Sequence, residues 1–153
     1  MARFSAASTS RASSSWRLAP GKTNGAEVDA LPFALTEAVL DRGEQRYNIY
    51  CSPCHDVTGS GHGMIVRRGY KQPPSYHIDR LRQAPIGHFY DVMTNGFGAM
   101  PDYRTQIAPR DRWAIAAYIR ALQLSQHASL ADVPQEDRPK LSPPTAATGK
   151  AER

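Results

Sequence analysis

The only two cysteines of the chain stand in one pentapeptide, Cys51-Ser52-Pro53-Cys54-His55. The spacing Cys-x-x-Cys-His is the attachment signature of c-type haem. Two thiols at this spacing can each reach one vinyl group of the same macrocycle, and the adjacent imidazole offers a nitrogen to the iron. A haem held in this way is permanent. The motif therefore predicts redox work rather than the carriage of an exchangeable ligand.

Three other uses of the pentapeptide are weaker. A structural zinc site needs four Cys or His ligands in two pairs, and the remaining histidines show no pair at finger spacing: His62, His77, His88 and His127. A thioredoxin-like dithiol sits at the start of a helix in a strand-helix-strand unit, and no strand alternation surrounds residues 51–55. A structural disulfide is compatible with an oxidising compartment, although it has no use for His55.

The iron also needs a ligand on its other face, for which the candidates are three methionines and the four other histidines. Met100 lies in the turn-rich segment 96–101, just before the last predicted helix, where glycines let the backbone approach the macrocycle. Met64 is the main alternative, and Met93 falls on a buried helical stripe, where methionine is usually core filler. We predict a His55/Met100 pair, which raises the reduction potential and closes both faces of the iron to small molecules.

Three helices are predicted to position these residues. The first begins after Thr36, a good N-cap; the second spans about residues 85–95 and stops at Gly96; the third starts with Pro109 in its first turn. A long loop over residues 55–76 follows the first helix, and wrapping a large flat cofactor accounts for its length. The apolar stripes of the three helices are Leu40, Gly43, Tyr47 and Tyr50; Ile86, Phe89, Tyr90 and Met93; and Trp113, Ile115, Tyr118, Ile119 and Leu122.

Gly43 lies on the apolar stripe of the first helix, although glycine costs about 1 kcal/mol relative to alanine inside a helix. Because it has no side chain, another helix can cross there closely. Tyr47, one turn later, would then pack against Ile115 and Tyr118. We therefore predict that the first and third helices cross at Gly43.

The 153 residues predict one folded domain over residues 33–126, between a flexible N-terminal arm, 1–32, and a flexible C-terminal tail, 127–153. No apolar run reaches transmembrane length. Residues 1–26 are rich in serine and arginine, like an organellar transit peptide, and lack the apolar core of a secretory signal. Since c-type haem is normally attached outside the cytoplasmic membrane, we expect a periplasmic, peripheral location although no export signal is evident.

The chain is basic, with a formal net charge of +5 and a pI of about 9.5. Residues 46–82 carry six bases against two acids, Asp56 and Asp79. The bases are Arg46, Arg67, Arg68, Lys71, Arg80 and Arg82. No nucleic-acid motif accompanies them, so an acidic redox partner is the favoured interpretation, and a solvated face without a partner is the alternative.

Taken together, these residues resemble class I cytochrome c domains: Gly43 and Tyr47 before the pentapeptide, then Met100-Pro101, then Ala117-Tyr118-Ile119. That family implies an all-α fold of three to five helices around one covalently bound haem. More narrowly, the chain is similar to the monohaem cytochrome subunit of bacterial alternative complex III, a quinol:electron-acceptor oxidoreductase. The stretches that carry this likeness are 46–50, 63–66, 74–81, 87–92, 94–98 and 111–115, within a resemblance over roughly residues 31–127.

The resemblance implies haem c bound through Cys51 and Cys54, with His55 and Met100 on the iron, in a subunit that is not itself an enzyme. Electrons would arrive from an iron–sulfur and multihaem cytochrome chain and leave toward an oxidase or a soluble carrier. Such subunits are commonly lipid-anchored through an N-terminal cysteine, a pattern from which this chain departs. Apolar aromatic residues are available for subunit contact, which favours the subunit over a free carrier: Tyr70, Tyr76, Phe89 and Phe97. The alternatives are a free soluble cytochrome c and a haem enzyme or gas sensor with an open sixth position.

Overall fold

The structure, a computed structural model of the chain, describes residues 20–141. A β-hairpin comes first, with strands β1, Lys22–Thr23, and β2, Ala26–Glu27. Five α-helices follow within the described residues: α1, Glu37–Tyr50; α2, Ser52–His55; α3, Asp79–Arg82; α4, Ile86–Asn95; and α5, Pro109–His127. Short 3-10 turns span Val66–Arg68, Leu130–Asp132 and Arg138–Lys140. The all-α class expected from the sequence is confirmed.

The three predicted helices are present, with Thr36, Gly96 and Pro109 at the helix ends that the sequence indicates. The side chain of Thr36 accepts a hydrogen bond from the Val39 amide at 3.3 Å, which satisfies one of the free N–H groups at the start of α1. Helix α4 ends at Gly96, whose amide donates to Val92 O at 2.8 Å. Helix α5 starts with Pro109, a residue that loses no hydrogen bond at this position. None of the described helices is long and apolar enough to cross a membrane.

Helices α1 and α5 cross at Gly43, as predicted. A Cβ atom built on Gly43 would collide with the backbone carbonyl of Ala114 and would lie 2.9 Å from the Cβ of Tyr118. Tyr47, one turn later, is fully buried, and its ring centroid lies 5.4 Å from that of Tyr118. The absence of a side chain at position 43 is therefore what allows the two longest helices to touch.

The core lies between α1, α4 and α5, and its least exposed large side chains are Trp113, Tyr47, Ile115 and Ile119. Helix α4 contributes Phe89 and Met93 to the same cluster. Tyr90 on α4 stacks on Trp113 of α5 with ring centroids 4.4 Å apart. These contacts fix α4 against α5, and α4 in turn forms part of the candidate site.

The N-terminal hairpin packs on α4, although the sequence predicted a flexible arm over residues 1–32. The Gly87 amide donates to Val28 O at 2.8 Å, and Lys22 pairs with Asp91 at 2.8 Å. Gly21 and Gly87 make this contact possible, since a Cβ on Gly21 would lie 2.7 Å from Gly87 O. The described end of that arm, residues 20–32, thus has tertiary contacts. Residues 1–19 and 142–153 lie outside the described residues, and with them the outer parts of the predicted arm and tail.

Candidate haem-binding site

The pentapeptide forms the junction between α1 and α2. The Cys51 amide donates to Tyr47 O at 2.8 Å and closes α1, and the His55 amide then donates to Cys51 O at 2.8 Å within the tight turn of α2. Cys51 and Cys54 are not joined by a disulfide bond. The turn brings both thiols and the imidazole to the wall of one cavity.

This cavity has a volume of about 440 Å³, within the range of small-molecule and cofactor sites. Its walls come mainly from the pentapeptide, the loop that follows it, α3, α4 and the segment 97–103, and α1 and α5 add one residue each, Tyr50 and Ile119. Most of the lining is apolar, and the polar groups include the side chains of Lys71, Arg80 and His88. An apolar cleft with two thiols, an imidazole and a few cationic groups suits a flat macrocycle that carries carboxylates.

His55 is a buried imidazole, and one of its ring nitrogens has no hydrogen-bond partner in the part of the chain that the structure describes. The side chain is 7% exposed and its ring stacks on Tyr76, with centroids 4.6 Å apart and planes 13° apart. Its Nδ1 atom has no hydrogen-bond partner among the described residues. Burial lowers the pKa of His55 to about 4, so the ring is neutral near pH 7. Neutral imidazole is the form that binds a metal ion, and the residue fits the haem iron in this respect.

A locked turn follows the pentapeptide and was not predicted. The Asp56 carboxylate accepts hydrogen bonds from the Thr58 amide at 2.7 Å, the His62 amide at 2.9 Å and the Ser60 hydroxyl. Its backbone oxygen accepts one from Tyr47 Oη at 2.8 Å. Burial raises the pKa of Asp56, but these hydrogen bonds outweigh it and hold the pKa well below its usual range. The pattern Asp-x-Thr-x-Ser is typical of turns in which side chains bond nearby backbone groups, and it is the sequence signal that could have indicated this turn.

Gly63 is a second element that the sequence analysis missed. Its amide donates to Cys54 O at 3.0 Å, and the Ile65 amide donates to Pro53 O at 3.0 Å. A Cβ atom at position 63 would lie 2.6 Å from Cys54 O. The loop therefore crosses directly over the pentapeptide backbone, and only glycine fits at the crossing.

The three candidate methionine ligands lie in different places relative to the cavity. Met100 is half-buried and lines the cavity, whereas Met64 is 45% exposed and lies outside its walls. Met93 lines the cavity from α4 and is 3% exposed, as expected for a core residue. Met100 sits in a tight turn in which it and Phe97 exchange backbone hydrogen bonds of 3.0 Å in both directions.

Of the remaining histidines, only His88 lines the cavity within the described residues. Its Nδ1 atom lies 2.9 Å from a carboxylate oxygen of Glu27 in β2. His77 Nε2 lies 2.7 Å from Thr58 O and is engaged outside the cavity. Between residues 20 and 141 no group of three or more metal-binding side chains is placed to hold an ion, and no strand adjoins the pentapeptide.

The six bases between residues 46 and 82 differ in their surroundings. Arg82 pairs with Asp79 at 3.2 Å, and Arg46 lies 3.3 Å from Asp111, a carboxylate that Arg42 also binds, so these two have acidic neighbours. The other four side chains are exposed: Arg67, Arg68, Lys71 and Arg80.

The four aromatic residues considered for subunit contact differ in exposure. Tyr76 and Phe89 are 7% and 4% exposed and belong to the core, whereas Tyr70 and Phe97 lie at the surface. For Tyr76 and Phe89 the prediction of an interaction surface was wrong.

Comparison with known proteins agrees with this geometry. The family described as cytochrome c oxidase, cbb3-type, subunit III matches residues 38–119, just over half of the chain. A chain of the reducing HAO-like protein complex from Kuenenia stuttgartiensis has a similar fold, with a TM-score of 0.51 and 23% identity over 63% of this chain. The present chain covers 49% of that chain, or about half its length. No curated protein sequence matches significantly. The chain belongs to the cbb3-type subunit III family of cytochrome c domains, in which covalent haem c mediates electron transfer, and its fold is the small class I cytochrome c fold.

Proposed function

We propose that the chain relays single electrons as the monohaem cytochrome subunit of a membrane quinol-oxidising complex of the alternative complex III type. The observation that carries the electron-transfer role is the single cavity lined by Cys51, Cys54, His55 and Met100. Its neighbours in the complex would include a multihaem cytochrome, and its acceptor an oxidase or electron carrier. The narrower assignment rests on the sequence likeness, above all over residues 74–81.

Each of the four residues has one role in this proposal. Cys51 and Cys54 hold one haem through two thioether bonds, and His55 offers its neutral imidazole to the iron. Met100 offers a thioether, a ligand that favours Fe(II) and raises the reduction potential. The bound group supplies one-electron exchange. The apolar walls would keep water from it, and with both His55 and Met100 on the iron no position would remain for a substrate or a gas.

The rim of the cavity suits a protein partner. Phe97, Tyr70 and Ile65 line the cavity and are 69%, 45% and 37% exposed. Tyr70 Oη donates to Ala99 O at 2.6 Å and braces the rim. Large apolar side chains exposed together mark interaction sites more often than single ones do. Lys71 and Arg80 line the cleft, and Arg67 and Arg68 are exposed in the loop that follows the pentapeptide. These bases favour an acidic partner, whose negative surface they would attract.

A free soluble cytochrome c that shuttles between complexes is the second candidate, and the same rim would serve brief docking. We place either protein on the periplasmic side of the inner membrane, where c-type haem is attached. The tagged chain, purified from detergent-solubilised membranes of its source organism and sized under native conditions, distinguishes the two. Co-purification with a multihaem cytochrome, and reduction of its haem by added quinol, is the expected result. A monomer with no membrane complex retained would contradict the subunit role.

A matched pair of variants tests whether the rim makes the contact. Phe97→Ala removes an aromatic ring that is 69% exposed and lines the cavity. Leu130→Ala removes a side chain that is 64% exposed and lies outside the cavity walls. We expect Phe97→Ala to reduce co-purification and Leu130→Ala to leave it unchanged. Equal retention of both variants would show that the rim is not the subunit contact.

A further inference from the structure

Arg112, in the first turns of α5, is a buried cation whose partners among residues 20–141 are a hydroxyl and a ring. The residue is 5% exposed. Its Nη1 atom donates to Thr94 Oγ1 at 2.7 Å, and its guanidinium lies 4.8 Å from the centre of the Tyr90 ring. Its Nε atom is buried without a hydrogen-bond partner among the described residues. Burial of an incompletely paired cation costs stability. The contacts that Arg112 does make therefore indicate its role in the structure.

Thr94 connects three parts of the chain at the end of α4. Its hydroxyl donates to Tyr90 O at 2.7 Å and accepts from Arg112. Its backbone oxygen accepts from Arg104 Nε at 3.2 Å, and Arg104 Nη2 also donates to Asn95 Oδ1 at 3.2 Å. The last turn of α4, the first turns of α5 and the segment after Met100 are thus joined at one residue.

The turn that carries Met100 is attached to this same end of α4 at both of its ends. At its start the Gly96 amide donates to Val92 O at 2.8 Å. After it the Tyr103 amide donates to Met93 O at 2.8 Å. Both acceptors lie within two residues of Thr94 in the sequence. The position of Met100 therefore depends on how firmly the last turn of α4 is held.

We propose that Arg112 and Thr94 are positioning residues for Met100. Their hydrogen bond clamps the last turn of α4 to α5, and through the two backbone bonds it holds the thioether in the cavity wall. The inference rests on the proposed role of Met100 as the second axial ligand. Loss of the clamp raises the population in which the turn opens, and an external ligand then competes for the iron. Covalent attachment at Cys51 and Cys54 is untouched.

The test is the affinity of the oxidised holoprotein for imidazole, measured by absorbance titration. Thr94→Val keeps the shape of the side chain and removes the hydroxyl, and Thr94→Ser keeps the hydroxyl. A hydrogen bond from a charged donor is worth enough to change an opening equilibrium by about tenfold. We expect imidazole to bind about tenfold more tightly to Thr94→Val and with wild-type affinity to Thr94→Ser. Thr58→Val is the matched control, because it removes a hydroxyl bonded to Asp56 at 2.7 Å on the histidine side of the site.

A Thr94→Val protein with wild-type imidazole affinity would overturn the inference, even if its melting temperature falls. Equal increases in Thr94→Val and Thr58→Val would overturn it too, since general loosening would then explain both. If Thr94→Val yields no holoprotein, Arg104→Gln replaces it, and we expect an increase of about threefold; no increase would again overturn the clamp. If Met100 is not the ligand, the wild type itself will lack the weak long-wavelength band of thioether-ligated ferric haem. This outcome is distinguishable from a failure of the clamp.

Discussion

Replacement of Gly43 by alanine tests the helix crossing on which the whole haem site is built. The added Cβ would collide with the Ala114 carbonyl oxygen and lie 2.8 Å from its carbon and 2.9 Å from Tyr118 Cβ. These are backbone atoms or atoms next to the backbone, so they yield only if α1 and α5 move apart. Such overpacking typically costs up to about 3 kcal/mol.

The gain in helix propensity from glycine to alanine returns about 1 kcal/mol. The net loss in the free energy of unfolding is then about 2 kcal/mol, which lowers the Tm by about 8 °C in a protein of this size. Denaturant unfolding of the holoprotein, followed by circular dichroism, measures this loss in the free energy of unfolding. Asn48→Ala is the control, because Asn48 is exposed on the same helix and its substitution changes propensity alone.

We expect Asn48→Ala to be neutral or slightly stabilising and Gly43→Ala to be clearly destabilising. A Gly43→Ala protein as stable as the wild type, or more stable by the propensity gain, would refute the close crossing. The apolar position of Gly43 would then be incidental.

Three further outcomes follow from the site. Met100→Ala should lower the reduction potential and let carbon monoxide bind the reduced protein. Met64 is 45% exposed and lies outside the cavity, so Met64→Ala should leave the spectrum unchanged. The reverse pattern would assign the ligand to Met64. Arg68→Glu should slow electron exchange with an acidic partner at low ionic strength and much less at high, as stopped-flow rates would show; rates equal to wild type at every salt concentration would mean that this exposed base only interacts with solvent. Tyr47→Phe should cost about 1 kcal/mol of unfolding free energy, because the hydroxyl that it loses is buried and donates to a backbone oxygen at 2.8 Å. Tyr70→Phe, at an exposed hydroxyl, should cost less, and equal losses in denaturant unfolding would contradict this account of the turn after the pentapeptide.

The helices could be predicted because their signals are local. Thr36 caps α1 through its own side chain, and Pro109 starts α5 where its missing amide does no harm. Gly43 was informative for the same reason, since a glycine on an apolar stripe indicates a close neighbour without naming it. The pentapeptide needs no fold at all to be recognised, because its chemistry lies within five residues.

The elements that escaped prediction depend on partners far away in the sequence. The hairpin at residues 22–27 has strands of two residues, too short for any alternation, and it is held by the approach of Gly21 to Gly87. Tyr76 gives no sign of burial within its loop, yet it is covered because the His55 ring stacks on it. Arg46 was counted in a local excess of bases because Asp111, the acid beside it, lies on α5, far away in the sequence.

Every role proposed for the site depends on one haem bound covalently through Cys51 and Cys54. The most direct test is the alkaline pyridine spectrum of the purified chain after expression with c-type haem maturation machinery. We expect the bands of thioether-linked haem at one haem per chain, and colour that stays with the denatured polypeptide. Replacement of both cysteines by serine should abolish that colour. A folded wild-type protein without haem, or with haem that acid and organic solvent extract completely, would contradict the account.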